Sequence, residues 1–299
     1  MKYKHIIIKI YKQKKYCKLM NIKNTNDFKL GVLGYPLSHT LSPMIHNYWL
    51  SNYELNGIYE KVEVSPKNLS DFFSNNILQY RGLNVTIPHK VDVFNYMDEV
   101  SDSAKVIGAI NCITVSDNKL IGSNTDADGF MQGLVNAHSS INFGNKNALV
   151  IGAGGASRAI IHSLQMKSVK NISVTNRSHD RLQSLKQIFD DKISVIDWVS
   201  IYEEIKNYNL IINCTSLGML GKDDIKFDLS HQKEKSLVVD LVYNPLETGF
   251  IVEARRNHHD YLNGIPMLLN QAALSWVRWL GINPRITDEL ISNISNSIR

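Results

Sequence analysis

One rhythm restricts the fold of this chain more than any other feature. From about residue 148 onward, short apolar runs alternate with helical stretches. "ALVIGAGGASRAI", "NISVTNRS", "KISVID", "NLIINCTS" and "KSLVVDLVYN" read as successive buried strands, each followed by helix or loop. Strands covered on both faces read as continuous apolar runs, because the crossover helices shield both sides of the sheet. The pattern therefore predicts a parallel, doubly wound α/β sheet.

The first half of the chain is also α/β but less regular. "FKLGVLG" reads as a strand ending at Gly34, and "IYEKVEV" alternates as a strand. In "SPMIHNYWLSNY", Ser42 reads as an N-cap and Pro43 as the first helical residue. Met44, Ile45, Tyr48 and Trp49 follow at helical spacing. "SPKNLSDFFSNN" restarts a helix, "GLNVTIP" is the next strand, and "NCITVSDNKLIGSN" is a hairpin turning at Asp117-Asn118. The helix "TDADGFMQGLVNAH" leads into the regular half, and "PMLLNQAALSWVRWL" is a final helix with apolar positions on two sides. The 299 residues suit two domains. The expected division is a basic extension over 1–26, an N-terminal α/β domain over 27–128, a dinucleotide-type domain over 129–262 and C-terminal helices over 263–299.

The formal charge of +5 misleads, because residues 1–20 hold seven lysines and no acid. The rest of the chain carries 26 basic and 28 acidic side chains. A basic body built for nucleic acid is thereby excluded, and only the head could touch an anionic surface. The apolar run Ile6–Ile8 is too short for a signal core or a membrane span. Cys17, Cys112 and Cys214 form no CxxC pair. Their spacing fits a reducing cytoplasm and argues against a structural zinc site. The expectation is a cytoplasmic protein with no nucleic-acid or membrane partner, monomeric or homodimeric.

The glycine turn carries chemistry. Gly152 permits the tight turn after the strand, and Gly154 lets the backbone approach a pyrophosphate that the helix N-terminal amides would meet. Ser157 takes the third glycine position and is small enough for close helix–strand packing. An NAD site wants an acid about 20 residues on, for the ribose 2′-hydroxyl. This chain offers Asn176, Arg177 and Ser178 there, and an arginine suits a 2′-phosphate in charge and fork geometry. The prediction is NADP.

Hydride transfer to a carbonyl also requires a proton donor. Lys90 lies past the carboxyl end of "GLNVTIP", where open α/β sheets place ligands, and Asp126 begins a helix after a strand. His89 is a rival acid beside Lys90. Read singly, each has a plainer explanation: an exposed lysine, or a carboxylate favoured at a helix start. Asn84 and Thr86 share one face of their strand, with Val85 on the other.

Taken together, the segments resemble the shikimate dehydrogenase family from about residue 28 to 280. "GYPLSHTLSPMIHN" resembles its substrate-carboxylate segment and "GLNVTIPHK" its catalytic-lysine strand. "IGAINCI" and "GSNTDADGF" resemble its asparagine and aspartate segments, and "GAGGASRA" and "NRS" its NADP segments. "INCTSLGM", "DLVYNPLETGF" and "NGIPMLLNQAA" complete the order. The resemblance implies reversible NADPH-dependent reduction of 3-dehydroshikimate to shikimate, in aromatic amino acid biosynthesis. It implies Lys90 as proton donor and acceptor, with Asp126 as its partner. Thr40 and Ser42 would hold the substrate carboxylate, Asn84, Thr86, Asn111 and Gln271 the ring hydroxyls, and Tyr243 would border the ring. Gly152, Ala153, Gly154, Gly155 and Ala156 would take the pyrophosphate, and Asn176, Arg177 and Ser178 the adenosine phosphate. Gly264 and Met267 would flank the nicotinamide. The family's fold returns the C-terminal helices to the first domain. The chain departs from the family at Thr40, where a serine is usual, and at Ser178, where threonine is common. Thr40 adds a methyl near the carboxylate site and keeps quinate in play as a substrate. A non-catalytic NADP-binding sensor on the same fold is the alternative from another class.

Overall fold

The computed structural model describes residues 27–298, so every expectation for the basic head lies outside the described residues. Two six-stranded sheets stand side by side. The first contains β1 (Phe28–Gly34), β2 (Gly57–Glu63), β3 (Tyr80–Val85), β4 (Glu99–Val100), β5 (Cys112–Ser116) and β6 (Lys119–Ser123). Its order is β2-β1-β3-β5-β6-β4, with β1 parallel to β2 and β3 and the β5–β6 hairpin antiparallel. Asp117 and Asn118 turn that hairpin with φ of 52° and 59°. Both residue types tolerate the left-handed region a two-residue turn demands.

The second sheet holds β7 (Asn147–Ile151), β8 (Asn171–Thr175), β9 (Ser194–Val195), β10 (Leu210–Asn213), β11 (Leu237–Asp240) and β12 (Asp260–Leu262). It is wholly parallel, in the order β12-β11-β10-β7-β8-β9. Successive side chains of β7 feed opposite faces. Ala148 and Val150 join one core and Leu149 and Ile151 the other, as a period of two requires. The strand order reverses direction between β7 and β10, and the glycine turn leaves β7 at that point.

Two expectations need correction, and one strand is new. "KISVID" is not a buried strand: only Ser194–Val195 pair, at the sheet edge, with Val195 39% exposed. Only its flanking Ile193 and Ile196 reach the core. β12 adds a strand that the sequence does not announce, because three residues with one half-buried leucine show no apolar run. "PMLLNQAALSWVRWL" is not the final helix, since Asp288–Ser297 follows it, capped by the Thr287 hydroxyl accepting from the Leu290 amide. Of the early helical stripe, Met44 is exposed and Ile45 and Trp49 are buried.

The Ile265–Leu280 helix leaves the second sheet and seals the first. Its Trp276 and Trp279 join Leu30, Val32, Ile45, Trp49 and Tyr59 in one core. Trp279 Nε1 donates to the Ile113 carbonyl at 2.9 Å, and its indole fills the place a side chain at Gly82 would need. The same helix lies tight against Asp126–Ala137. A Cβ at Gly129 would come within 2.6 Å of the Gln271 amide nitrogen, so glycine here is a condition of the close approach.

His46 is fully buried, stacked on Tyr59, and its Nδ1 accepts from Trp276 Nε1 at 2.8 Å. Burial pushes its pKa down to about 3. Protonation would also turn the acceptor into a second donor facing the indole. The unfolded chain takes up this proton below about pH 6.5 and the folded one does not, so stability falls as pH drops through that window. Urea unfolding of the wild type and His46→Phe between pH 7.5 and 5 would test this. The variant starts less stable but loses stability less steeply with acid. Parallel slopes would refute the linkage.

Candidate active site

The cleft between the sheets encloses about 770 Å³. On the first sheet, β3 ends and the backbone turns at Thr86–Lys90, with the His89 amide donating to the Thr86 carbonyl. Val85 donates to the Asn111 carbonyl and Ile110 to the Lys90 carbonyl, both at 2.7 Å. The lysine turn and the Asn111 segment are thus laced together. His89 and Lys90 point to opposite sides. His89 is fully buried and its Nε2 donates to the Val64 carbonyl at 2.6 Å, so it holds the turn and is no rival acid.

Lys90 Nζ bonds Asp126 Oδ2. The side chains are 16% and 5% exposed, leaving the ammonium partly open to the cleft while the carboxylate is hidden. The other carboxylate oxygen, Oδ1, accepts from Asn111 Nδ2 at 2.8 Å. Asp126 opens the Asp126–Ala137 helix, where the dipole favours a negative charge, and its amide donates to Asn124 Oδ1. Asn111 Oδ1 accepts from the Thr125 amide at 2.7 Å, and Gln271 Oε1 lies 3.4 Å from Asn111 Nδ2. Close packing at Gly129 brings Gln271 there from the Ile265–Leu280 helix.

Asn84 is fixed by neighbours that sequence reading missed. Tyr59 donates to its Oδ1, and its Nδ2 donates to Ser275 Oγ, each at 2.8 Å. Tyr59 and Ser275 belong to elements far apart in the chain, and only folding brings them to Asn84. Ser42 is not an N-cap. The helix starts at Ser42, after Leu41, and its hydroxyl accepts from Thr40 Oγ1 at 3.2 Å. The two hydroxyls therefore stand as a pair at the cleft wall.

Across the cleft, Gly152 turns the chain with φ of 116°, a conformation that side chains strain. A Cβ on Gly154 would meet nothing within 4 Å, so its backbone faces open space suited to a pyrophosphate. A Cβ on Gly155 would sit 3.3 Å from Lys90 Cδ, so the glycine turn and the lysine abut. Asn176, Arg177 and Ser178 follow β8, with Asn176 Nδ2 donating to the Ser178 carbonyl. Exposed guanidinium and hydroxyl groups at that strand end, beside an open glycine backbone, fit a 2′-phosphorylated dinucleotide. Gly264 closes the far side, where a Cβ would lie 2.1 Å from the Leu241 carbonyl oxygen. Below it, the Asp240 carboxylate accepts from Thr248, Val242 and Asn213. Burial nevertheless pushes Asp240 up to about 6.

Thr40, Ser42, Asn84, Thr86, Lys90, Asn111, Asp126, Tyr243 and Gln271 all line this cleft. So do the residues from Gly152 to Ala156, Asn176 to Ser178, Gly264 and Met267. Sequence reading missed Arg158, Arg181, Trp198 and Thr215, which also line it. Arg181, four residues after Arg177 in the first turn of the His179–Phe189 helix, was findable by its closeness in the chain. Trp198 sits in a loop with no periodic signal. Among the described residues, no helix is long and apolar enough to cross a membrane.

Residues 32–113 match the family described as the shikimate dehydrogenase substrate binding domain, and residues 135–248 match shikimate / quinate 5-dehydrogenase. The chain is 39% identical over 271 residues to an NADP(+) shikimate dehydrogenase of Bartonella henselae, covering 88% of this chain and 91% of that one. The fold is similar to shikimate 5-dehydrogenase of Thermus thermophilus in complex with NADP(H) and shikimate. The TM-score is 0.79 at 30% identity, over 90% of this chain and 98% of that one. It is also similar to quinate dehydrogenase of Corynebacterium glutamicum in complex with NAD, with a TM-score of 0.80 at 25% identity, over 91% and 98%.

Proposed function

The chain belongs to the shikimate dehydrogenase family, and from that membership we propose that it reversibly reduces 3-dehydroshikimate to shikimate with NADPH, using Lys90 and Asp126. The reaction is a step of aromatic amino acid biosynthesis, carried out in the cytoplasm by a monomer or homodimer. The observation that carries the reading is the Lys90–Asp126 pair abutting the glycine turn within one cleft.

NADPH, when bound, supplies the hydride. Lys90 hydrogen-bonds the substrate carbonyl, polarises it and passes a proton to the nascent alkoxide; in reverse it accepts that proton. Asp126 holds the ammonium in place, and Asn111 holds Asp126. Thr40 and Ser42 bind the substrate carboxylate, close to the N-terminus of the Ser42–Asn52 helix. Asn84, Thr86, Asn111 and Gln271 meet the ring hydroxyls, and Tyr243 borders the ring. A ligand lacking a hydroxyl would leave buried amides unpaired, which is a strong basis for discrimination. The residues from Gly152 to Ala156 receive the pyrophosphate, Asn176, Arg177 and Ser178 the 2′-phosphate, and Gly264 and Met267 the nicotinamide.

A steady-state assay of shikimate and quinate, each with NADP and NAD, tests this. The expected result is preference for shikimate with NADP. Faster turnover of quinate would favour the broader reading that Thr40 keeps open, and NADP binding without turnover would favour a sensor. In the same assay, Arg177→Ala should lower kcat/KM for NADP about ten-fold, as for loss of one charge-assisted hydrogen bond. It should leave NAD nearly unaffected. An unchanged NADP-to-NAD ratio would remove Arg177 from the phosphate site.

A further inference from the structure

We propose that Trp198 is a positioning residue for cofactor selectivity, its indole holding the Arg177 guanidinium in place for the 2′-phosphate. The inference rests on the reading of Arg177 as the phosphate ligand.

Arg177 is an exposed side chain, and among the described residues no carboxylate forms an ion pair with it. A free arginine of this kind samples many rotamers, and fixing one on ligand binding costs entropy. Its Cζ, however, lies 5.7 Å from the centre of the Trp198 ring. A guanidinium over an indole is attracted by the ring's negative face, and tryptophan is the best ring for this. The contact leaves every guanidinium N–H available to a phosphate.

The platform is itself anchored. Trp198 is half-buried and its ring lies 5.6 Å from Phe227, which is buried. Phe227 also meets Tyr202 edge-on at 5.2 Å and belongs to the core beneath β7, β10 and β11. Aromatic contacts thus run from the sheet core to the guanidinium of Arg177. Trp198, Arg177, Ser178, Arg181 and Ser184 all line the cleft. Trp198 lies outside the glycine turn and beyond β9, so it reaches the site from a separate loop.

Calorimetric binding of 2′,5′-ADP and 5′-AMP isolates the effect, because the two ligands differ only in the 2′-phosphate. Trp198→Ala should weaken 2′,5′-ADP about two- to five-fold, the range for an exposed cation–π contact, and leave 5′-AMP unchanged. Trp198→Phe keeps a ring, serves as the folding control, and should recover part of the loss. In an Arg177→Ala background, Trp198→Ala should add nothing. Equal weakening of both ligands would mean that the ring contacts adenine itself, and the proposal fails. It fails likewise if 2′,5′-ADP binding is unchanged, or if the loss persists without Arg177. If Arg177→Ala alone leaves the preference for 2′,5′-ADP intact, the reading of Arg177 fails and the proposal with it. If that variant abolishes the preference but Trp198→Ala has no effect, only the proposal falls.

Discussion

Lys90→Ala is expected to slow turnover of 3-dehydroshikimate about 10²- to 10⁴-fold, the usual contribution of a positioned general acid, while KM for the substrate changes far less. The asymmetry follows from the site. The substrate's carboxylate and hydroxyls have their own proposed partners in Thr40, Ser42, Asn84 and Gln271, none of which depends on the ammonium. Loss of Lys90 removes the proton donor and leaves Asp126, 5% exposed, still held by Asn111. Leaving a buried carboxylate without its cation is costly, so part of the effect can enter through stability. Lys90→Met with Asp126→Asn separates the two, because the double variant removes both charges. It should fold at least as well as Lys90→Ala and be as inactive. Turnover of Lys90→Ala near the wild-type rate would show that another group delivers the proton.

Trp276→Ala should cost about 3–5 kcal/mol of folding stability, read as a lowered urea midpoint. Trp276 is fully buried at the seam between the Ile265–Leu280 helix and the first sheet, 5.6 Å from Trp49 across an edge-on contact. Its indole N–H is the partner of His46 Nδ1, so the change opens a cavity and orphans an acceptor together. A cost below about 1 kcal/mol would mean that the seam repacks freely. The same loosening would shift Gln271, one helical turn before Ser275, away from Asn111. A raised substrate KM should therefore accompany the lost stability.

The parallel half of the fold is legible because its strands are short, apolar and buried on both faces. β7, β8, β10 and β11 announce themselves in this way; the apolar run around β9 announces a buried strand where only an exposed edge pair forms, and β12 shows no run at all. An edge strand pairs on one side only, so its composition carries little demand. The glycine turn and the NRS tripeptide are legible because backbone geometry and charge dictate residue type locally. Lys90 and Asp126 are different. Nothing in either segment alone states that they meet, and the ordered series of motifs points to the pair that the fold then brings into contact. The residues that hold the site, Tyr59, Ser275, Thr125 and Trp198, stay hidden. Their work depends on contacts between remote elements, and their residue types are ordinary for their elements.

The order of the chain has a consequence for biogenesis. The helix that seals the first sheet is translated only after the entire second sheet. A nascent chain halted near residue 264 would carry a finished cofactor lobe and a substrate lobe with an open apolar face. Domains that form during synthesis usually do so from the amino end. Here the earlier lobe must wait for the later one, and released fragments lacking the final helices should adhere to chaperones.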